Sequence, residues 1–206
     1  MQSEYMEMKN IKENTLEIDL SQYPSVTRVL SATMPLKDAE MLERWRQRIG
    51  YEEAERISKA ALERGHLYDS YVEDYTKGLD IPHQKLKNHL SNFDIVSRET
   101  TVVNQEYKYK GRYDCIFAKN GIIVLNDFKG ASKKKSRYWL KDYPLQISAY
   151  IKAIEETGIV INWGMITVIL KDDIQVFTFD HCEIDMYFNK FLKRLKQYNN
   201  EKNANI

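Results

Sequence analysis

Residues 111–130 read GRYDCIFAKNGIIVLNDFKG, and this stretch decides the fold. Asn120-Gly121 is typical of a two-residue hairpin turn, so the residues on either side are predicted to be paired strands. The run from Ile122 to Leu125 is apolar at every position, which indicates a central strand buried on both faces. Asp127 and Lys129 lie two residues apart and therefore project from one face of that strand. Charges beside so apolar a run are costly to bury unless they are paired or bind a metal ion.

The segment before the turn alternates between aromatic and charged residues. Because strand side chains have a period of two, the alternation predicts one apolar face and one charged face. The apolar face would hold Tyr107, Tyr109, Tyr113, Cys115 and Phe117. The charged face would hold Lys108, Lys110, Arg112 and Asp114. A row of positive charges that ends at an acid predicts a track for a phosphate backbone.

Two aspartates and one lysine are a minimal set for hydrolysing a phosphodiester bond. The reaction uses a hard divalent cation, and Mg²⁺ prefers carboxylate oxygens. It also uses an activated water molecule, and positive charge where negative charge develops. We therefore expect Asp114, Asp127 and Lys129 to form the site of a metal-dependent nuclease. The alternative is a cross-strand salt bridge between Asp114 and Lys129, with Asp127 capping the strand end.

A second basic stretch, Gly130 to Tyr138, follows the proposed catalytic lysine and contains no acid. Its cations are Lys133, Lys134, Lys135 and Arg137. A charge run is often only a solvated loop, but this one would lie at the mouth of the acidic site, where it is predicted to bind a DNA backbone. The formal net charge is only +1, so any attraction to nucleic acid has to come from such local clusters.

Helical periodicity accounts for the first half of the chain. Ser25 is predicted to cap a first helix that reaches Leu30, and Pro35 to begin a second one. A third helix is predicted from Glu52 to Arg64, and a further helical segment that starts at Gly65 and ends at Gly78. The predicted buried faces are Leu42, Trp45 and Ile49, then Leu67, Tyr68, Tyr71, Val72 and Tyr75. Arg44, Arg46 and Arg48 either bind phosphates or form a solvated surface.

The second half alternates between strands and helices. Strands are predicted at Ile95–Val103, Val160–Leu170 and Ile174–Phe179, and helices at Trp139–Glu156 and Glu183–Gln197. The predicted order is helices, three strands, a helix, two strands and a helix. This order indicates an α/β sheet sandwiched by helices. Tyr143, Gln146 and Tyr150 share one face of the predicted helix. These residues either orient the residues of the site or are polar side chains of an ordinary packing interface.

Several motifs, taken in order, make the chain resemble the PD-(D/E)xK nucleases of the RecB type. The resemblance is carried by Pro24-Ser25-Val26-Thr27-Arg28-Val29-Leu30, Met34-Pro35, Leu42-Glu43-Arg44-Trp45, Gly65-His66, Glu99, Gly111-Arg112-Tyr113-Asp114, Asp127-Phe128-Lys129 and Pro144-Leu145-Gln146 with Tyr150. Each motif alone is weak, whereas their order and spacing are specific. One departure is Gly130-Ala131-Ser132, where relatives usually have Thr and Ser after the lysine.

The resemblance implies a restriction-endonuclease-like core, with a mixed sheet of about five strands flanked by helices and a helical region over the active site. It implies one or two Mg²⁺ or Mn²⁺ ions, and it makes Lys129 the group that orients the water or stabilises the transition state. It implies that Gln146 and Tyr150 brace the site. The implied metal ligands are Asp114, Asp127, the Phe128 carbonyl, Glu99 and His66. For Glu99, an exposed strand carboxylate is the alternative.

The resemblance further implies exonucleolytic hydrolysis of DNA, with single strands or free ends preferred. A structure-specific endonuclease of the same fold is one alternative. A non-catalytic DNA-binding subunit is another, although the presence of both aspartates and the lysine argues against it. Protein partners cannot be read from the sequence.

Length and composition predict one nuclease domain. The chain has 206 residues, of which 43% are hydrophobic, enough for one core. We expect an acidic arm at 1–22, the domain at 23–198 and a polar tail at 199–206, with the domain divided into a helical region (23–92) and an α/β core (93–198). The spacing of Cys115 and Cys182 is not that of a metal site, and reduced thiols are expected. Without a signal, transit peptide or membrane-spanning run, the expected location is the cytoplasm of a bacterial or phage-infected cell.

Overall fold

A computed structural model describes residues 19–204, which form five strands and six α-helices. The helices are α1 (Val26–Ala32), α2 (Leu36–Ile49), α3 (Tyr51–Thr76), α4 (Gln84–Leu90), α5 (Tyr143–Glu155) and α6 (His181–Ala204). The strands are β1 (Asp94–Asn104), β2 (Tyr109–Lys119), β3 (Ile122–Gly130), β4 (Trp163–Ile169) and β5 (Ile174–Phe179). Two 3-10 turns, Leu20–Gln22 and Arg137–Leu140, complete the regular structure of these residues.

The five strands form one mixed sheet in the order β1-β2-β3-β4-β5, which confirms the predicted α/β class. Strands β1 to β3 are an antiparallel meander, β3 and β4 are parallel, and β4 and β5 are antiparallel. The β2–β3 turn has positive φ at Asn120 (51°) and Gly121 (79°), as the dipeptide predicts. Helix α5 makes the crossover that parallel neighbours require.

The sheet is covered on both faces, and a separate apolar cluster lies under each cover. The larger cluster joins the sheet to α1, α5 and α6 through residues such as Leu125, Ile147 and Phe191. The second cluster joins it to α3 and α4, with Val72 and Phe117 among its members. Burial on both faces explains why β3 and β4 are almost continuously apolar.

The prediction of a single apolar face on β2 is wrong. Tyr109 and Tyr113 lie in the larger cluster, whereas Cys115 and Phe117 lie in the second one. The alternation changes face on β2 between Tyr113 and Cys115, opposite Glu99, which has a φ of 47°, and the β1–β2 register shifts between Ile95 and Ser97. The charged row is also shorter than predicted, since Lys108 (φ 56°) lies in the β1–β2 turn and β2 begins at Tyr109.

Three helix boundaries differ from the sequence prediction. Helix α3 continues through Gly65 without a break, and Leu67 is exposed although it was predicted to be buried. Helix α5 begins only at Tyr143, because Lys141 has a φ of 50° and separates it from the preceding 3-10 turn. Helix α6 extends to Ala204, so most of the predicted polar tail is helical.

The predicted buried face of α2 is only half-buried, since Leu42, Trp45 and Ile49 are all partly exposed. The Ser25 side chain accepts a hydrogen bond from the Arg28 N–H at 3.2 Å, which is the predicted cap of α1. The predicted acidic arm lies outside the described residues up to position 18. None of the helices formed by residues 19–204 combines the length and the apolar character that crossing a bilayer requires.

Candidate active site

The face of β3 that turns toward α5 carries Asp127 and Lys129. Leu125, on the same face, belongs to the cluster that contains α5, and the next two alternate positions are Asp127 and Lys129. The Lys129 ammonium lies 5.0 Å from the centre of the Tyr143 ring on α5. Helix α5 therefore covers these two charged side chains, as the shared face of its polar residues predicts.

Asp114 joins this pair from the neighbouring strand. The β2–β3 register pairs Cys115 with Asn126, so one further step places Asp114 opposite Asp127. The Phe128 N–H donates a hydrogen bond of 2.8 Å to Asp114 Oδ2. Lys129 Nζ lies 2.7 Å from Asp127 Oδ2, so the structure brings the two aspartates and the lysine together.

Burial dominates the electrostatics of the three groups. Burial, followed by the negative charge of Asp127, raises the pKa of Asp114 to about 7. Burial also raises the pKa of Asp127, against the opposing charge of Lys129. For Lys129, burial alone would lower the pKa, but Asp127 and Asp114 outweigh it and the pKa is raised. The lysine therefore keeps its positive charge, while the two carboxylates are held in an environment that disfavours their ionised forms.

The buried oxygens of Asp127 fit a cation. Its side chain is 1% exposed; Oδ2 is paired with the Lys129 ammonium, whereas Oδ1 has no hydrogen-bond partner among residues 19–204. A buried acceptor without a donor is costly, and coordination of a cation removes that cost. Mg²⁺ commonly uses only one or two carboxylates and keeps several water ligands. Asp114 and Asp127 suit such an ion, with hard oxygen donors on adjoining strands.

The additional acidic and histidine ligands implied by the resemblance are not assembled with the aspartates. Among residues 19–204, no three Asp, Glu, His or Cys side chains form a ready-made metal cage. Glu99 forms a close ion pair with Arg112 and lies 3.9 Å from Arg98. His66 is exposed on α3. Their roles as ligands stay predictions.

Asp69 on α3 is a site residue that the sequence reasoning missed. Burial raises its pKa, as does the charge of Glu99, while Lys129, His66 and Arg98 act in the opposite direction. The charge of Asp69 in turn contributes to the raised pKa of Asp114. The negative charge of Asp69 therefore interacts with that of Asp114. The polar stripe that it shares with His66 was the available signal, but no spacing rule distinguished Asp69 within it.

Helix α3 reaches the site through a close approach at Gly130, the residue after Lys129. A Cβ at Gly130 would lie 3.1 Å from Tyr68 Cδ2 and 3.5 Å from the backbone nitrogen of Gly65. The helix therefore crosses the end of β3 at Gly65, and Asp69 follows one turn later. Helix α3 thus approaches the end of β3 from the face of the sheet opposite to α5.

Gln146 and Tyr150 on α5 form the other wall. Gln146 Nε2 donates a hydrogen bond of 3.0 Å to the Tyr150 hydroxyl. Burial and then the charge of Asp127 raise the pKa of Tyr150, so this hydroxyl stays protonated beside the aspartate. The ring lies directly on β2, because a Cβ at Gly111 would be 2.2 Å from Tyr150 Cε1. Gly111 is therefore needed for the position of Tyr150.

The predicted DNA-binding cations have different environments. The Lys110 ammonium donates a hydrogen bond to the Leu20 carbonyl, and Arg112 pairs with Glu99. In the basic loop, Lys134 lies 2.9 Å from Asp173, and Arg137 lies 2.5 Å from Glu183. The Lys135 backbone is joined to the Gln175 side chain by two hydrogen bonds. Lys108 and Lys133 are exposed.

Comparison with known proteins reveals similarity to exonucleases. No family model matches the chain. It is 33% identical over 205 residues to the Mitochondrial genome maintenance exonuclease 1 of Xenopus tropicalis, covering 87% of this chain and 58% of that protein. The proteins of the same name from Mus musculus and Homo sapiens are each 28% identical, covering 93% and 89% of this chain and 63% and 60% of theirs.

Solved structures offer a weaker likeness. The protein SSO0001 has a TM-score of 0.49 at 17% identity, covering 94% of this chain and 86% of that one. A protein from Eubacterium rectale has a TM-score of 0.41 at 14% identity, covering 53% of this chain and 46% of its own. Likeness at this level carries no functional conclusion. By sequence, the chain is similar along most of its length to mitochondrial genome maintenance exonucleases, and it spans about three fifths of these relatives.

Proposed function

We propose that this chain is a metal-dependent DNA exonuclease of the PD-(D/E)xK type that acts on single strands or free ends. The observation that carries the proposal is the buried Asp127, whose Oδ1 has no hydrogen-bond donor within residues 19–204 and whose Oδ2 lies 2.7 Å from the Lys129 ammonium, with Asp114 on the adjoining strand. The similarity to proteins named as exonucleases supports the same reaction class.

Asp114 and Asp127 would hold one or two Mg²⁺ or Mn²⁺ ions. When bound, such an ion supplies Lewis-acid polarisation of a phosphoryl oxygen. Loading requires both carboxylates to be ionised, so Asp114 has to release the proton that burial favours. The carboxylates thus supply the negative charge that attracts the ion, and the lysine next to them limits the net charge of the empty site.

Lys129 would stabilise the negative charge that develops on the phosphate. Its ammonium stays protonated because both aspartates raise its pKa, and the Tyr143 ring 5.0 Å away restricts where it can lie. A cation that is already in place before the reaction stabilises a transition state without reorganisation during the step. Tyr150 and Gln146 would keep the neighbouring wall fixed through their 3.0 Å hydrogen bond.

The helical cover favours a narrow substrate. Helix α3 packs on one face of the sheet at Gly130, and α5 covers Asp127 and Lys129 on the other, so helices on both faces narrow the approach to the end of β3. A single strand can lie in such a passage more readily than a duplex. Preference for single strands or free ends is the part of the proposal that rests on this cover.

Asp127→Asn tests the proposal directly. The substitution keeps the shape but removes a buried charge, so we expect Mg²⁺-dependent digestion of labelled single-stranded DNA to be abolished while the melting temperature stays equal or rises. Added Mg²⁺ should raise the melting temperature of the wild type and not that of the variant, because only the wild type binds the ion.

Lys119→Gln is the matched control, since it changes an exposed charge at the distant end of β2 and should retain full digestion. Circular single-stranded DNA should stay uncut if the enzyme needs an end. Undiminished digestion by Asp127→Asn would contradict the proposed site, and cutting of circles would assign an endonuclease instead.

A further inference from the structure

A cavity of about 410 Å³ adjoins the carboxylates along β2. We call it the β2 groove and define it by six of the polar residues that line it: Ser25, Thr27, Lys110, Arg112, Gln146 and Tyr150. Its volume lies in the range that holds small ligands in proteins. The Pro24-Ser25-Val26-Thr27 motif, which has no role in the metal site, supplies one wall.

The β2 groove is continuous with the proposed catalytic centre. Tyr150 lines the groove, and the charges of Asp127 and Asp114 both act on its hydroxyl. Gln146, hydrogen-bonded to that hydroxyl, lines the same cavity. A group in the groove would therefore lie beside the tyrosine on which the charges of both aspartates act.

Backbone contacts fix the wall formed by the N-terminal motif. Ser25 forms a parallel bridge with Lys110, and the Lys110 N–H donates a hydrogen bond of 3.0 Å to the Pro24 carbonyl. Val26 is fully buried between the two hydroxyl residues. The Ser25 and Thr27 hydroxyls are hydrogen-bonded to each other at 3.3 Å, so one of the two keeps its proton free to donate to a ligand. This wall is held by buried packing and by the edge of β2.

The groove offers many donors and no carboxylate. Lys110 uses one of three ammonium hydrogens on the Leu20 carbonyl, and Arg112 uses part of its guanidinium fork on Glu99. Both cations keep free N–H groups, and Arg112 is exposed. Among the described residues that line the cavity, none is acidic. Hydroxyl, amide and cationic donors together match the oxygens of a phosphate.

We propose that the β2 groove binds the phosphate next to the scissile one on the same strand. The inference rests on the proposed nuclease function and adds the subsite that positions its substrate. The ligand chemistry is a phosphate group, which is either an internal diester of the strand or a terminal monoester. Binding of this phosphate in the β2 groove would fix where the strand lies relative to the carboxylates. It would therefore determine which phosphodiester bond is cut.

The double variant Thr27→Val/Arg112→Gln tests the subsite with two substrates. One is a single-stranded oligonucleotide of about 20 nucleotides, longer than common single-strand site sizes. The other is a dinucleotide, which has a scissile phosphate but no neighbouring one. The variant should lower kcat/KM for the oligonucleotide about tenfold more than for the dinucleotide, mainly through KM, because it removes one charge-assisted hydrogen bond to the phosphate.

Oligonucleotides with hydroxyl or phosphate ends separate the two sources of the phosphate. A loss that is equal for both ends assigns an internal diester, and a loss confined to the phosphorylated end assigns a terminal one. Lys119→Gln, which removes one cation from the far end of β2, should behave like the wild type. Equal losses on the dinucleotide and the oligonucleotide, or no loss on either, would overturn the subsite.

Binding measured without catalysis keeps this test separate from the proposed function. In EDTA, fluorescence anisotropy of a labelled oligonucleotide should give weaker binding for Thr27→Val/Arg112→Gln than for Lys119→Gln. If the wild type hydrolyses neither substrate but this difference is found, the nuclease proposal fails and the phosphate subsite stands. If the two variants bind equally, the subsite is wrong whatever the activity.

Discussion

The β2 groove and the basic loop (Gly130–Tyr138) are both positively charged, and they differ in what surrounds the charges. In the loop, Lys134 is paired with Asp173, and Arg137 is paired with Glu183 and stacked 4.5 Å above the Phe179 ring. In the groove, Lys110 donates to a neutral carbonyl, whereas Arg112 is paired with Glu99, which does not line the cavity. Lys110 is therefore better placed to bind a phosphate than Lys134 or Arg137.

The comparison teaches that the density of positive charge along a sequence does not identify a binding surface. Lys134 and Arg137 are neutralised by acids about 40 residues further along the chain, on the β4–β5 turn and on α6. A charge that is already paired loses that partner when it binds a phosphate, so its net contribution is small. Only the fold reveals which cations of a basic segment already have an acidic partner.

Gly111→Ala and Gly130→Ala test how closely each region is packed. We expect the largest loss of activity from Gly111→Ala. A Cβ at Gly111 would lie 2.2 Å from Tyr150 Cε1 and 2.6 Å from Cδ1 of a ring that is 2% exposed. The ring has to move, and displacement of a positioning group by about 1 Å can cost about 100-fold in rate. Single-turnover hydrolysis of a labelled oligonucleotide measures this loss.

Gly130 at the start of the basic loop is the matched site. A Cβ there would meet Tyr68 Cδ2 at 3.1 Å, which a small shift of the ring can relieve. Gly130→Ala should therefore lose less activity and less stability than Gly111→Ala, for which overpacking is expected to cost about 1–3 kcal/mol. Equal losses of activity from the two substitutions would mean that hydrolysis does not depend on the position of the Tyr150 ring. That result would count against a role for the groove.

Charge removal should have an intermediate effect. Lys110→Gln/Arg112→Gln takes two cations from the groove, and Lys134→Gln/Arg137→Gln takes the two paired cations from the loop. If the groove binds phosphate, the first pair lowers the slope of log affinity against log salt by roughly 0.7 for each phosphate of the single strand that is no longer neutralised. The loop pair should leave the slope nearly unchanged. Titrations at several salt concentrations measure both slopes.

A larger change of slope in the loop variant would reverse the comparison. It would mean that DNA displaces Asp173 from Lys134, so that the ion pair seen in the free protein is not kept in the complex. Thermal unfolding of both double variants shows whether a reduced slope comes from a misfolded protein, since Lys110 also holds the Leu20 carbonyl.

The sequence predicted the local parts of the site well. Asn120-Gly121 places the turn, the two-residue spacing of Asp127 and Lys129 places both on one face, and helical spacing brings Tyr143 and Tyr150 to the same side of α5. Each inference uses contacts between residues close in sequence, where strand and helix periods are reliable. These residues meet as expected because the hairpin register follows from its turn.

The parts that failed depend on contacts between distant elements. The alternation along β2 shifts beside Glu99, whose left-handed φ has no signal in the sequence. Helix α3 continues through Gly65, since packing at Gly130 outweighs the cost of about 1 kcal/mol that glycine brings to a helix. The charge of Asp69 acts on Asp114 only because α3 crosses the end of β3. Periodicity contains none of this information.

Asp173→Asn should have the smallest effect. Hydrogen bonds from Lys85, at 2.6 Å, then from Lys134 and from the Ile174 N–H, lower the pKa of Asp173. Because the pKa is lower in the folded state, the stabilisation is present above the unfolded value of about 4 and is lost as the pH falls below it. The difference in melting temperature between wild type and variant should therefore shrink from about pH 6 to about pH 3.

The same substitution also releases Lys134. Single-stranded DNA should then bind slightly more tightly, by less than about threefold, because one loop cation no longer has its partner. Lys85→Gln is the control, since it breaks the other ion pair of Asp173 and leaves Lys134 bound, so it should give no gain. If Asp173→Asn binds DNA no better than Lys85→Gln, the acid is not what keeps the loop from binding, and its exposed cations are in the wrong place for the strand.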